Sequence, residues 1–205
     1  MTGGNVRSKG MNDQTMTKSI VVFDSEWTTW EGALERRWSG PGEEIEIVQI
    51  GMAKLADTAE LPEIDHIEFF IHPVLNPDLS AYFTELTGIT QRQVDEHGIS
   101  FSEALVKMQA FLDPSVQIAY CFGRDDIIVS QNCTLYNLEY PFPPELFASI
   151  RGEIAEFLGI AEEDTLSSRL PQDMGFDSPG DAHTALADAR CIGEALRIMR
   201  RASAF

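Results

Sequence analysis

Asp24 and Glu26 stand at the end of a short apolar run, Ile20-Val21-Val22-Phe23. If that run is a strand, its side chains alternate, so both carboxylates project from one face and Ser25 from the other. Neighbouring carboxylates repel unless a cation or proton lies between them, so the pair reads as part of a metal site or as two solvated acids at a fraying strand end. A third acid, Asp188, shares a helical stripe with Ile192, Ala195 and Met199 at about 100° per residue. A carboxylate that opens an apolar face needs a cation or donors. The same position also suits an acid favoured by the helix dipole. The fourth acid comes from Asp125-Asp126, after Gly123, where a strand gives way to a helix. One of the two caps the helix and the other faces the strand ends; the reading assigns Asp125 to the cap and Asp126 to the ligand position. His183 lies five residues before Asp188, about 140° around a helix, and so belongs to the loop or first turn after Ser178-Pro179-Gly180. A loop histidine titrating near neutrality suits a general base, or is a surface histidine at a helix start. Four carboxylates and a histidine, with no cysteine–histidine cluster, specify hard oxygen coordination: Mg²⁺ or Mn²⁺ rather than zinc. Two such ions about 3.5–4 Å apart clamp the attacking and leaving oxygens of a phosphodiester.

The elements that must carry these groups follow from periodicity. Strands are expected at Ile20–Phe23, Ile45–Leu55 and Ile64–Ile71, the first two separated by the polar stretch 31–44 with its Gly40-Pro41-Gly42 turn. Pro73 and Pro77 end the third. The period then changes: Leu105, Met108, Phe111 and Leu112 mark a helix over 101–112, followed by a strand at 116–120 and a helix at 125–136. A short strand near 147–150, a helix through Leu158 and a long helix from about Ala182 complete the chain. Strands first and alternating elements later predict one α/β domain with a mixed sheet and helices on its faces. Ligand sites in such sheets lie beyond the carboxyl ends of the strands, where Asp24 and Glu26 stand.

With 205 residues, 43% hydrophobic and 23% charged, the chain is long enough for one soluble domain with a real core. Residues 1–18 are expected to form a flexible tail and residues 19–205 the domain. Neither a bilayer-spanning run nor the apolar core of a signal peptide is present, so neither a membrane partner nor export is expected. Cys121, Cys133 and Cys191 make neither a CxxC pair nor an even disulfide set, which suggests reduced, buried thiols in the cytoplasm. Fifteen Lys and Arg against 33 Asp and Glu leave a net charge of −18. Such a surface repels polyanions, so any nucleic-acid function must rest on a local site.

Taken in order, Asp24-Ser25-Glu26, Asp126 and His183-Thr184-Ala185-Leu186-Ala187-Asp188 resemble the DEDDh 3′–5′ exonucleases of the ribonuclease-H-like fold, from about Ser19 to Met199. The resemblance implies a mixed five-stranded sheet flanked by helices. It also implies a nuclease in which Asp24, Glu26, Asp126 and Asp188 hold two Mg²⁺ or Mn²⁺ ions while His183 deprotonates the attacking water. Products would be nucleoside 5′-monophosphates released from single-stranded RNA or DNA 3′ ends. Trp27 and Thr28 would contact the terminal base and sugar, with Leu86, Thr87 and Ile89, from the Glu85–Thr90 segment, opposite. Phe122-Gly123-Arg124-Asp125-Asp126 and Gln131-Asn132-Cys133 are similar to the branch that trims histone messengers and small RNAs, which favours RNA slightly over DNA and Asp126 over Asp125. Arg36, Arg37, Arg124 and the arginines from 190 to 201 are the local basic groups. The expectation is therefore weak, salt-sensitive, distributive action on short or unpaired ends, with a protein partner able to supply grip. Two other readings stay open: the same fold as a non-catalytic binding module, and a phosphodiesterase of very short oligonucleotides.

Overall fold

A computed structural model describes residues 17–180 and 184–205. The expected tail therefore lies, apart from residues 17 and 18, outside the described residues. β1 (Ser19–Trp27) is buried along most of its length because both its faces are covered. Val21 and Phe23 pack into one apolar cluster, and Ile20 and Val22 into another. β2 (Ile47–Ala56) and β3 (Glu63–Phe70) run antiparallel beside it as a meander. Three helices follow, α1 (Ala81–Thr87), α2 (Gln91–His97) and α3 (Phe101–Phe111). Their starts are fixed by Ser80, Thr90 and Ser100, the last two in reciprocal capping boxes with Gln93 and Glu103. The chain returns through β4 (Val116–Cys121), parallel to β1, then α4 (Asp125–Leu135), β5 (Phe147–Ser149), α5 (Arg151–Leu158), α6 (Leu170–Met174) and α7 (Ala185–Arg201). The sheet order is β3-β2-β1-β4-β5. This is the mixed five-stranded sheet with flanking helices expected from the sequence.

The two layers divide the work. α3 and α4 cover the face of Val21 and Phe23, with Phe101, Met108 and Val129 in the cluster. α7 covers the face of Ile20 and Val22 through Leu186, Ile192, Leu196 and Met199. Asp24 continues the α7 face of β1, and Ser25 the α4 face. Among the described residues no helix is long and apolar enough to cross a membrane.

The opposite stripe of α7 departs from expectation. The sequence places Arg190 and Arg197 toward solvent, but Arg190 forms a two-pronged contact with Glu63 of β3 (3.0 and 2.8 Å), and Arg197 donates to the Leu61 carbonyl and to Glu194. Arg200 pairs with Asp57. These cations clamp α7 to the β2–β3 hairpin instead of forming an open basic face. A helical wheel cannot reveal this, because the partners lie over a hundred residues away.

The approach of α7 to the sheet depends on Gly51. It lies directly across from Asp24 in the β1–β2 register. A Cβ there would stand 2.1 Å from the Leu186 amide nitrogen and 2.4 Å from its Cα. Nearby, buried Gln49 accepts the Ala185 amide at 2.9 Å, giving an orphan donor of the helix start a fixed partner. Gly51→Ala is therefore expected to destabilise the protein by about 1–3 kcal/mol or more, since backbone and not a flexible side chain must move. Urea denaturation should show a lowered midpoint; a parental midpoint would refute this role.

Candidate active site

Carboxylate oxygens of Asp24, Glu26 and Asp188 all lie within 4.8 Å of one another. Two come from the carboxyl end of β1 and the third from the first turn of α7, held there by the seat at Gly51 and Gln49. Crowding perturbs their titration. Asp24 is raised well above the usual carboxylate range, first by burial and then by the charges of Asp125, Glu26 and Asp188. Glu26 is pushed up to about 8 by burial, with Asp188 and Asp125 adding repulsion. An all-carboxylate donor set this close fits a hard divalent cation such as Mg²⁺ or Mn²⁺, which replaces the shared protons.

Of the two acids offered for the fourth position, Asp125 is the one whose charge acts on Asp24 and Glu26. α4 has no side-chain cap, and Asp125 is its first helical residue, not the cap. Its buried carboxylate accepts the Ser25 amide (3.1 Å) and the Ser25 hydroxyl (2.7 Å), and its charge acts on both Asp24 and Glu26. Burial raises Asp125 to about 6 against the lowering effect of the Ser25 bonds. Asp126, one residue further round the helix, is only partly buried, and its charge acts on Cys121, Tyr140 and Asp125. The structure thus brings Asp125, and not Asp126, to the cluster. The preference for Asp126 rests on two grounds, the assumption that one of the two acids caps the helix and the resemblance of the Phe122–Asp126 segment; the first does not hold, because Arg124 stands at the cap position. His183 lies outside the described residues.

Next to the acids is a cavity of about 230 Å³ whose wall includes Glu26, Trp27, Trp30, Trp38, Tyr82 and Leu86. Trp27 and Trp38 meet edge to face at 6.5 Å, and the Trp38 indole donates to the Thr28 carbonyl. Of the five residues expected to touch a substrate, Trp27 and Leu86 line this cavity. Thr28, Thr87 and Ile89 are buried behind it. The Thr28 hydroxyl serves the Glu44 carbonyl and the Glu46 amide, the Thr87 hydroxyl serves the Phe83 carbonyl and the Ile89 amide, and Ile89 packs with Val48, Phe83 and Val94. The sequence reading missed Trp30, Trp38 and Tyr82; two tryptophans in an otherwise polar loop were the available signal.

It also missed Glu46. This fully buried carboxylate accepts the amides of Val74, Leu75 and Asn76 and the Tyr136 hydroxyl. It fixes the loop leading to Ser80, whose hydroxyl donates to the Thr29 carbonyl and caps α1. The α1 wall of the cavity is thereby latched to the end of β1. A larger cleft of about 620 Å³ wraps the edge of β3, with His66, Phe69, Lys107 and Phe111 in its lining, and contains none of the clustered acids.

A model of the Exonuclease family matches residues 21–196. The chain is 27% identical over 191 residues to rat 3′-5′ exoribonuclease 1, covering 88% of this chain and 53% of that protein, so it spans about half the length of this relative. It is 33% identical over 105 residues to the 3′-5′ exonuclease eri1 of the fission yeast Schizosaccharomyces pombe, covering 51% of this chain and 33% of that one. Among solved structures, the nuclease domain of 3′hExo, a DEDDh family member bound to rAMP, matches with a TM-score of 0.76 at 25% identity, over 92% of this chain and 94% of that one.

The acid cluster makes two expectations measurable. Folded Glu26 retains a proton from about 4.5, where the unfolded side chain titrates, up to about 8. The folded state binds more protons across that window, so stability falls as pH rises through it. In chelator, the Tm should decline across this range and Glu26→Gln should flatten the decline; equal slopes for parent and variant would contradict the raised carboxylate. Separately, Asp125→Asn should abolish metal-dependent turnover while Asp126→Asn leaves it near parental, and the reverse result would restore Asp126 to the site.

Proposed function

The chain belongs to the exonuclease family, and from that membership we propose that it removes nucleotides one at a time from the 3′ end of single-stranded nucleic acid, RNA slightly ahead of DNA. Each step would hydrolyse the terminal phosphodiester and release a nucleoside 5′-monophosphate. The observation that carries this reading is the double role of Glu26, which is a member of the acid cluster and part of the aromatic cavity wall. A base seated among Trp27, Tyr82 and Leu86 would deliver its own phosphate to the carboxylates. Stacking there would contribute about 1–3 kcal/mol per base. The names of the rat relative and the rAMP-bound neighbour favour RNA.

Asp24, Glu26 and Asp188, with Asp125 as fourth member in place of Asp126, would hold two Mg²⁺ or Mn²⁺ ions. When bound, these ions supply Lewis acidity at the phosphate and an activated water. The chain's own contribution would be to fix four carboxylates on one strand end and two helix starts, where cations or shared protons must relieve their repulsion. His183, on the segment just before α7, would accept the proton of the attacking water.

Charge shapes the substrate. Arg36 pairs with Glu43, Arg190 with Glu63 and Arg200 with Asp57, so several of the basic groups are already engaged by acids on a chain of net charge −18. Grip would centre on the last nucleotides, with weak, salt-sensitive, distributive action and room for a protein partner to hold longer chains. The same surface favours a second reading, a phosphodiesterase of very short oligonucleotides. Three buried free thiols, Cys121, Cys133 and Cys191, suit a reducing cytoplasm.

The direct test uses 5′-labelled single-stranded RNA and DNA from two to thirty nucleotides with Mg²⁺ or Mn²⁺, plus chelator and Asp188→Ala controls. A ladder shortening from the 3′ end, absent in both controls, is expected, with His183→Ala slower by about 10²–10⁴-fold. Cleavage confined to the shortest substrates would favour the second reading. No cleavage of any length would remove the enzymatic reading.

A further inference from the structure

Ser25 separates the two β1 acids in sequence and projects from the opposite face of the strand, yet it touches the acid cluster from behind. β4 pairs with β1 only as far as Val22 and Tyr120, and the chain then turns into α4. Beyond that point the Ser25 amide has no β4 partner, and the Asp125 carboxylate takes its place, accepting both the amide (3.1 Å) and the hydroxyl (2.7 Å) on the same Oδ1. Ser25 and Asp125 are each 4% exposed, so water does not compete for these bonds. The far end of α4 is fixed independently by buried Asn132, which accepts the Ile47 amide and donates to the Ile45 carbonyl.

We propose that Ser25 is a positioning residue for the metal site: it holds Oδ1 of Asp125 so that Oδ2 is presented to the cations bound by Asp24, Glu26 and Asp188. This deepens the metal-dependent reading above and rests on it. Without the hydroxyl, a carboxylate at the first position of a helix regains rotamer freedom, and cation binding must restore the order that Ser25 supplies in advance.

Mn²⁺ binding to the full-length protein, followed by electron paramagnetic resonance without substrate, separates this role from catalysis. Ser25→Ala should weaken Mn²⁺ binding by about 10–100-fold, the range for residues that orient a metal ligand, and Ser25→Thr, which keeps the hydroxyl, should restore it. Thermal unfolding in chelator should leave Ser25→Thr at the parental midpoint. Should Ser25→Ala fail to fold, Ser25→Cys, similar in size but a weak donor, carries the same expectation. Asp125→Asn is the reference. If it loses Mn²⁺ while Ser25→Ala and Ser25→Cys bind like the parent, the positioning role is overturned and the metal site stands. If Asp125→Asn itself binds like the parent, the ligand assignment fails and the role of Ser25 fails with it. Parental binding by Ser25→Ala, or no recovery in Ser25→Thr, overturns the proposal.

Discussion

The closeness of α7 to β2 is the constraint on which the rest of the site depends. A helix seated on a sheet is normally held off by side chains at both surfaces; here one surface has none, because Gly51 presents only backbone to Ala185 and Leu186. Asp188 is three residues further on, and Asp24 lies across from Gly51 in the strand register. The spacing that brings these two carboxylates together is thus set by a missing methyl group. Gln49 fixes the rotation and height of the helix by taking the Ala185 amide, and the contacts of Arg190 and Arg197 with Glu63 and Leu61 hold the outer side of the same helix. Several independent restraints converge because the groups they bring together repel one another.

That repulsion is a cost borne by the fold. Asp24, Glu26 and Asp125 are each raised above the ordinary carboxylate range mainly by burial, with the charge of neighbouring acids adding to it, for Asp125 that of Asp126. Nothing about folding requires acids here, and apolar residues at the ends of β1 would be more stable. The compensation comes from the packed layers beneath, where Phe23, Met52 and Ile192 are fully buried. Perturbed carboxylates held by a rigid framework are the pattern expected of a functional site rather than of a structural ion-pair network.

Much of this was legible in the sequence wherever a pattern is local. The two-faced apolar run of β1 and the stripe of α7 that includes Asp188 are properties of strand and helix periods, and both stand in the structure. What failed was decided by distant partners. Asp125 rather than Asp126 meets Ser25, a hundred positions earlier, and no helical period contains that contact. Thr28, Thr87 and Ile89 have the right neighbours in sequence to reach a ligand, but their hydroxyls and methyls are engaged by Glu46, Phe83 and Val48 beneath the cavity. The cap of α2 was readable, since Thr90 and Gln93 form a capping box; seven-residue helices such as α1 and α2 simply leave too little periodicity to stand out.

The charge balance fits the geometry. A nuclease that follows a long polyanion by its backbone needs an open basic track, and here Arg190, Arg197 and Arg200 are turned inward to hold α7. Recognition would then rest on what a 3′ end offers that the middle of a strand does not, a terminal base free to enter an aromatic cavity with one phosphate beside it. Trp27, Trp38 and Tyr82, which line that cavity, would provide the first contact without any charge. The second requires positive charge beside the clustered carboxylates, and divalent cations shared with the acid cluster would supply it. An acidic protein of this design would gain affinity for a phosphate mainly at the point of reaction, so that binding along the strand would contribute little and the chemistry would stay confined to the end.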